Sequence, residues 1–200
     1  QIYGQSEMGV IAVLRHWYLP AKLGSVGRQP YNVDVRVVNQ DGTDVAPGEI
    51  GEVVSRGANL MLGYFDEPAQ TREFFRLGDD WGWSGDLASV DADGFITLID
   101  RSKDMIISGG ENIYPKEIEN VIFELPEVAD CAVFGIPQPP WGEVPAAWIS
   151  LQPGQQLSAE QVLAHCEAKL ARFKRPRLVE FVTEFPKTAI GKIQKNLIRE

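Results

Sequence analysis

Cysteine and histidine are scarce in this sequence, which contains two residues of each among 200. Cys131 and Cys166 lie within apolar patterns and lack the spacing of metal ligands. We therefore expect buried free thiols in a reducing compartment rather than a disulfide or a zinc site. His16 and His165 have no partner pattern, so we interpret both as structural. No Ser/His/Asp arrangement or metal cluster is recognisable, which argues against a triad hydrolase or a structural zinc domain.

Long hydrophobic runs are also lacking. No stretch of about eighteen apolar residues occurs, and no charged segment followed by an apolar one opens the chain, so neither a membrane span nor a signal peptide is indicated. The hydrophobic content of 44% is enough for ordinary globular cores. We expect a cytoplasmic protein, with peripheral membrane association left open. There is no internal repeat or low-complexity segment.

Negative charge dominates the chain but not its C-terminal part. The net charge is −9, whereas residues 168–200 contain nine Lys and Arg against three Glu. A basic segment beside an acidic body can bind nucleic acid, but no nucleic-acid motif or platform of aromatic and basic residues is present. Polyanionic small molecules fit the pattern better, because a local positive field attracts phosphates.

The first half of the sequence has the texture of β-structure. Short alternating segments run from Gly24 to about Ile99, among them Val33–Val38, and turn signals such as Asp41-Gly42 and Asp93-Gly94 separate them. We predict a small β-rich subdomain there, in the form of a distorted barrel.

The texture changes after Asp100. Pro115 starts a helix that reaches Pro126, and Ser158 caps a second helix with Gln161 at the capping-box position. Strands are predicted over residues 129–136, 146–151 and 178–183, and a terminal helix from Ile193. The predicted class is α+β, with a β-rich subdomain followed by a compact α+β domain in which helices flank a small sheet. We place the domains at residues 1–100 and 101–200, joined by a short hinge.

The segment Pro186–Ile193, with the sequence PKTAIGKI, carries the most specific signal. Pro186 restricts the backbone, whereas Gly191 permits conformations closed to other residues and a close approach by a phosphate. Lys192 would present a compact positive charge to an anion. Alone, a Lys after Gly in a turn is usually a solvated charge.

Further motifs occur upstream in a fixed order. They are Tyr3-Gly4-Gln5-Ser6-Glu7, Trp83-Ser84-Gly85-Asp86-Leu87, Asp100-Arg101-Ser102-Lys103-Asp104 and Ser108-Gly109-Gly110-Glu111-Asn112. Together with PKTAIGKI, the set resembles the acyl-CoA synthetase branch of the adenylate-forming, AMP-binding enzymes. That resemblance implies ATP, Mg²⁺, coenzyme A and a small-molecule carboxylic acid as ligands. It also implies two steps, in which an acyl-adenylate forms and coenzyme A then displaces AMP.

The resemblance implies roles for residues of the first half. Tyr3, Gly4 and Ser6 would lie at the nucleotide, and Glu7 would help to bind Mg²⁺, consistent with the oxygen ligands that this ion prefers. Asp86 would accept hydrogen bonds from the two ribose hydroxyls, a pairing that the negative charge strengthens. Arg101 would reach the same sugar or a phosphate.

In the second half, the resemblance makes Lys103 a pivot of a mobile C-terminal domain and Lys192 the cation that stabilises charge during adenylation. Ser108, Gly109 and Gly110 would line the path of the pantetheine arm, and Glu111 would also contribute to cofactor binding. Trp141 would lie near the coenzyme A entrance. By the same resemblance, Phe173-Lys174-Arg175-Pro176 precedes the strand that leads to Lys192. An exposed aromatic loop for Trp141, and a solvated charge run closed by Pro for the second segment, are equally good interpretations.

The phosphate-binding loop of the family is missing, and the sequence opens inside a motif at Gln1. We therefore expect the C-terminal portion of a longer acid:CoA ligase, inactive alone and able to self-associate. An amino-acid or aryl-acid adenylating domain that acts on a carrier protein, a luciferase-like oxidase and a non-catalytic interaction module remain alternatives. The joint presence of Asp86, Arg101 and Lys192 argues against the last.

Overall fold

The structure is a computed structural model that describes residues 1–76, 80–189 and 191–198. It divides into two compact units, residues 1–102 and 103–200, called here the first and second unit. No described helix is long and apolar enough to cross a membrane.

The first unit is built mainly from antiparallel strands. A hairpin of β1 (Ile2–Gln5) and β2 (Gly9–Val13) precedes a four-stranded sheet in the order β3-β4-β5-β6. The sheet strands are β3 (Val33–Val38), β4 (Ile50–Gly57), β5 (Gly82–Val90) and β6 (Ile96–Arg101). The predicted Asp93-Gly94 turn joins β5 to β6, and the N–H of Gly94 donates to the carbonyl of Asp91 at 3.0 Å.

The β-rich character of this unit is confirmed, but the sheet does not close. Among the described residues β3 and β6 each pair with one strand of the sheet, so it is open, in contrast to the predicted distorted barrel. A short helix α1 (Pro68–Phe74) was missed by the sequence analysis. Its side chain Phe74 is buried against the sheet core with Met8, Ile11, Val53 and Ala88.

The second unit is α+β. Strands β7 (Ile106–Ser108) and β8 (Glu111–Ile113) form a hairpin, and α2 (Pro115–Ile122) follows. Strand β9 (Val128–Gln138) pairs antiparallel with β10 (Gly142–Leu151), and α3 (Ala159–Lys169) leads to β11 (Leu178–Phe181), which is parallel to β10.

The pair β9 and β10 is buried on both faces. On one face, Cys131 and Val133 pack with helix residues such as Ile118 and Val162. On the other, Ala132 and Phe134 pack with Phe185 and Ile198 of the C-terminal segment. Alternate residues of a strand point to opposite faces, so burial of both explains the continuous apolar run in β9.

Most predicted elements of this unit are present. The capping box is formed, because Ser158 Oγ accepts from the Gln161 N–H and Gln161 Oε1 accepts from the Ser158 N–H. Both cysteines are buried free thiols. The terminal helix predicted from Ile193 is wrong for the described residues, where a single 3₁₀ turn spans Lys195–Leu197. Ile198 is instead used to cover the second face of the sheet.

Candidate functional site

The motif that opens the chain lies on β1 and in the turn after it. Tyr3 and Gln5 are two residues apart on the strand, so their side chains share one face. Both donate to the same oxygen of Asp86, the Tyr3 hydroxyl at 2.6 Å and Gln5 Nε2 at 2.8 Å from Oδ2. Gly4, between them, and Ser6 are exposed. The strand therefore fixes the orientation of the Asp86 carboxylate.

Arg101 contacts the other oxygen of this carboxylate. Asp86 and Arg101 are opposite each other on β5 and β6, and Arg101 Nε donates to Oδ1 at 3.1 Å. The Asp86 side chain is 13% exposed and that of Arg101 is 49% exposed. Burial, together with the hydrogen bond to Asp86, raises the pKa of Tyr3 far above its usual value, so Tyr3 remains a donor at any physiological pH.

The backbone under Asp86 is held by two further side chains. Ser84 Oγ accepts from the Asp86 N–H at 3.0 Å and donates to the Val53 carbonyl at 2.7 Å. Glu52 accepts from the Gly85 N–H at 2.9 Å, and its second oxygen accepts from Arg76 at 2.8 Å. These bonds fix the turn that presents the carboxylate.

The arrangement defines what Asp86 can still bind. A carboxylate offers about four acceptor positions, and Tyr3, Gln5 and Arg101 occupy three of them. One hydroxyl of a vicinal diol can take the remaining position. A second hydroxyl can bind only if the half-exposed Arg101 releases Oδ1.

Glu7 lies in the turn between β1 and β2. Its carboxylate oxygen Oε1 accepts a hydrogen bond from the Tyr64 hydroxyl at 3.1 Å. Burial and this bond raise the pKa of Tyr64. No group of three or more potential metal ligands occurs within residues 1–76, 80–189 and 191–198. Glu7 could therefore supply one carboxylate ligand, since Mg²⁺ is commonly held by one or two carboxylates when phosphates supply other oxygens.

A cavity of about 760 Å³ in the first unit lies away from these residues. Arg15, Trp17, Arg28 and Tyr31 are among the residues that line it, and none of the predicted site residues does. Cavity size alone therefore does not locate the predicted site.

In the second unit, Gly109 and Gly110 form the two-residue turn between β7 and β8. Their φ angles are +60° and +88°, as primed hairpin turns require. The Gly109 N–H donates to the Trp141 carbonyl at 2.8 Å, and a Cβ on Gly109 would lie 3.0 Å from Cε3 of Trp141. The turn therefore lies directly against the indole ring, which is 53% exposed.

This turn borders a cleft of about 400 Å³. Of the residues that the motifs assign to coenzyme A, Ser108, Gly109, Glu111 and Trp141 line one part of the cleft, whereas Gly110 does not. The remaining lining residues, Val144, Arg172, Phe173 and Arg177, had not been assigned to the site. The cleft is therefore lined by residues of the glycine turn, two aromatic residues and two arginines.

The segment Phe173–Pro176 is not a solvated charge run. Lys174 Nζ donates to both carboxylate oxygens of Glu117 on α2, at 2.8 and 2.7 Å. Arg175 pairs with Glu167 and donates from Nε to the Leu170 carbonyl at 3.1 Å. These contacts fix the 3₁₀ turn Arg172–Lys174, which supplies Arg172 and Phe173 to the cleft.

Lys192 lies on a second hairpin turn. Lys187 and Ile193 form a β-bridge, the Thr188 N–H donates to the Lys192 carbonyl at 2.8 Å, and the Gly191 N–H donates to the Thr188 carbonyl at 2.8 Å. Gly191 has a φ of +81°, consistent with the conformational role predicted for it. Ile190 of this motif lies outside the described residues. The turn leaves Lys192 exposed.

Lys103 is the first residue of the second unit and is exposed. It lies in the middle of a 3₁₀ turn, Ser102–Asp104.

The basic residues of the described part of the C-terminal segment, within residues 168–189 and 191–198, fall into two groups. Five are paired with carboxylates: Lys169, Lys174, Arg175, Lys187 and Lys195. No ion pair joins Arg172, Arg177 or Lys192 to a carboxylate in the part of the chain that the structure describes. The uncompensated cations are thus at the cleft and on the Lys192 hairpin.

Sequence reasoning missed several residues of these arrangements. Gln5 could have been found, because it follows Tyr3 at the strand period of two. Arg172 and Arg177 could not, since only the folded structure shows which members of a basic run are already paired.

Comparisons with known proteins show which proteins the chain is similar to. Residues 1–65 match the AMP-binding enzyme family, and residues 117–192 match the AMP-binding enzyme C-terminal domain. A feruloyl-CoA synthase of Amycolatopsis sp is 44% identical over 200 residues, which cover 100% of this chain and 40% of that protein. The chain thus spans two fifths of the length of this relative.

The chain is also similar to solved structures of CoA synthetases. An o-succinylbenzoate CoA synthetase of Bacillus subtilis, in complex with the acyl-adenylate intermediate OSB-AMP, has a TM-score of 0.91 and 34% identity, over 100% of this chain and 40% of that one. The synthetase from the same organism in complex with ATP and magnesium ion has a TM-score of 0.90 and 33% identity. The match covers 100% of this chain and 41% of that one.

Proposed function

Since the chain belongs to the AMP-binding enzyme family, we propose that it forms the C-terminal part of an ATP-dependent acid:CoA ligase. In the first step, a carboxylate oxygen of the acid attacks the α-phosphorus of ATP and pyrophosphate leaves. In the second, the coenzyme A sulfur attacks the acyl carbon, AMP leaves and the thiol proton is released. The relatives act on different acids, so this part of the chain supports the reaction class rather than one acid.

The distribution of unpaired cations is the observation that carries this proposal. A protein with net charge −9 pairs five of its C-terminal basic residues internally and leaves Arg172, Arg177 and Lys192 without a described carboxylate. ATP, the adenylate and coenzyme A are all phosphate anions, and unpaired cations bind them without first breaking an internal ion pair.

In the first unit, we assign the nucleotide to the surroundings of Asp86. The carboxylate, fixed by Tyr3 and Gln5, accepts a ribose hydroxyl, and movement of Arg101 admits the second hydroxyl while freeing its guanidinium for a phosphate. Gly4 and Ser6 are exposed beside this point. Glu7 would be the protein ligand of Mg²⁺, which neutralises phosphate charge when bound.

In the second unit, the two steps use different surfaces. Lys192 stabilises the charge that develops between carboxylate and α-phosphate. The cleft receives coenzyme A: the Ser108–Glu111 hairpin turn borders the pantetheine arm, Trp141 and Phe173 offer faces for the adenine, and Arg172 and Arg177 offer charges to its phosphates. A change of backbone conformation at Lys103 would exchange the two surfaces.

The test is Lys192→Ala in an enzyme of the relatives' full length that carries this sequence. We expect pyrophosphate exchange to fall roughly 10²–10³-fold, as when one charge-stabilising donor is lost. Thioester formation from supplied acyl-adenylate should change little. Lys169→Ala, which removes a lysine paired with Glu124, is the control. Equal losses in both half-reactions would contradict the assignment, and transfer to a carrier-protein thiol but not to coenzyme A would favour the carrier-protein alternative.

We also propose that the 200-residue chain alone folds without exchanging pyrophosphate, because its sequence lacks a phosphate-binding loop. Several apolar side chains of the first unit are almost fully exposed, including Leu62 at 100% and Phe65 at 98%. Such side chains favour self-association. Sedimentation of the chain at increasing concentration should show oligomers, and a strictly monomeric species would contradict this part of the proposal.

A further inference from the structure

The Lys192 hairpin is closed by backbone contacts and followed at once by a buried ion pair. The Gln194 N–H donates to the Pro186 carbonyl at 2.9 Å, which joins the two ends of the hairpin. At the next residue, Lys195 Nζ lies 2.8 Å from Oε1 of Glu119. The side chains of Glu119 and Lys195 are only 7% and 19% exposed.

The side chain of Glu119 is held in place by the fold of the second unit. It lies on α2, and its Oε1 also accepts a hydrogen bond from the Val133 N–H of β9 at 3.0 Å. A second lysine, Lys116, lies farther away, at 3.5 Å from Oε2, and is 52% exposed. A buried carboxylate needs a nearby cation, because water cannot solvate it. Lys195, which follows the hairpin directly in the sequence, provides this cation.

The pair at the other end of the hairpin is weaker. Lys187 contacts Asp130 at 2.7 Å, but the two side chains are 39% and 36% exposed, so solvent screens the attraction. The buried pair is therefore the main electrostatic anchor of the hairpin. Three residues of backbone span at most about 10 Å, so Lys195 limits where Lys192 can lie.

We propose that Glu119 is a positioning residue for Lys192: through Lys195 it holds the hairpin in the conformation that presents the Lys192 ammonium for adenylation. This rests on the proposed function only for what Lys192 does. The anchoring itself depends on contacts within the second unit.

The first test is kinetic, in the full-length enzyme. Glu119→Gln keeps an oxygen for the Val133 N–H but removes the charge. We expect kcat for adenylation to fall roughly 10–100-fold, as for a misplaced catalytic group, with a smaller change in the KM for ATP. Thioester formation from supplied acyl-adenylate should be retained. Lys195→Gln should reproduce the defect and Lys195→Arg should largely restore activity.

Glu124→Gln, which breaks an exposed pair just beyond α2, is the matched control and should behave like the unchanged enzyme. Combination with Lys192→Ala separates positioning from a general structural role. If Glu119 acts through Lys192, Glu119→Gln adds nothing to the loss caused by Lys192→Ala. Additive losses, or equal loss of both half-reactions, would overturn the proposal.

The second test does not require activity. Amide hydrogen exchange of Thr188 and Gly191 should quicken several-fold in Glu119→Gln and Lys195→Gln, and not in Glu124→Gln, whether or not the variants remain catalytic. Unchanged exchange would overturn the anchoring. If exchange quickens but Lys192→Ala leaves adenylation intact, the anchoring stands and the function proposed for Lys192 is wrong.

Discussion

The two units differ in whether their candidate ligand-binding charges already have partners within the protein. In the first, the central charge is a carboxylate, and Asp86 is already bound by Tyr3, Gln5 and Arg101. In the second, the relevant charges are cations, and Arg172, Arg177 and Lys192 form no ion pair with a described carboxylate. Under the proposed function, the donors around Asp86 orient a carboxylate that accepts hydrogen bonds from neutral hydroxyls. The three cations would bind phosphates without first losing a carboxylate partner.

Among the variants that test this comparison, Gly109→Leu is expected to have the largest effect on activity. The side chain would meet the Trp141 ring and narrow the cleft, so thioester formation should fall roughly 100-fold, as for a misplaced reacting group, while adenylation is retained. Separate assays of the two half-reactions check this. Gly154 also has a positive φ, +77° against +60° for Gly109, but nothing lies within 4 Å of a Cβ built there, so Gly154→Leu controls for backbone strain. A similar thioester defect in both variants would refute a path beside Gly109.

A second effect tests the Asp86 carboxylate, which accepts three hydrogen bonds. In Asp86→Asn an NH₂ group replaces one of the two carboxylate oxygens. Both oxygens accept hydrogen bonds from protein donors, so the NH₂ group would face a donor and at least one hydrogen bond would be lost. We expect kcat/KM for ATP to fall about 10–100-fold and the free energy of unfolding to fall by about 1–3 kcal/mol. Steady-state kinetics and urea unfolding measure these quantities. Asp34→Asn, which breaks the exposed pair with Arg56, should have little effect; an equal loss there would refute the special role of Asp86.

A third, smaller effect tests whether the units act in alternation. Proline fixes φ, so Lys103→Pro should impair one half-reaction several-fold more than the other, whereas Lys103→Ala leaves the backbone free and should be mild. Both variants are to be assayed in both half-reactions. Equal rates for the two substitutions would remove Lys103 as the pivot.

The smallest effect concerns alkaline pH. The pKa of Tyr3 is raised in the folded first unit, mainly by burial, and burial likewise raises the pKa of Cys131 in the second. Each contribution is complete below the unfolded pKa, about 10 for Tyr and 8.5 for Cys, and is lost as the pH rises through the folded value. Urea unfolding from pH 8 to 11 should show the loss, and Tyr3→Phe and Cys131→Ala should each reduce it. An unchanged pH profile in both variants would contradict it.

The sequence predicted what depends on local rules. The capping box at Ser158 and Gln161 lies within four residues, and its geometry follows from the residue types. Helix α1 has only seven residues and one signal, Pro68 at its start, so the surrounding β-pattern concealed it. The predicted terminal helix failed because Ile198 is needed on the second face of the sheet, a tertiary requirement that no local pattern expresses.

The same limit applies to the candidate site. The motifs identified Tyr3, Asp86 and Lys192, but the hydrogen bond from Tyr3 to Asp86 joins residues 83 positions apart. Which basic residues are paired is likewise decided by the fold, since Glu117 and Lys174 are 57 positions apart. Local sequence can name such residues, whereas their pairing and orientation require the tertiary structure.

Helix α2 contacts both segments of the second unit to which we assign a function, since Glu117 binds Lys174 beside the cleft and Glu119 binds Lys195 beside the Lys192 hairpin. Each added residue turns an α-helix by about 100°. An insertion or deletion in the first turn of α2 would therefore rotate these carboxylates away from their lysines together. The length of this short helix should thus be less free to vary than that of any surface loop of the unit, even where its individual residues can change.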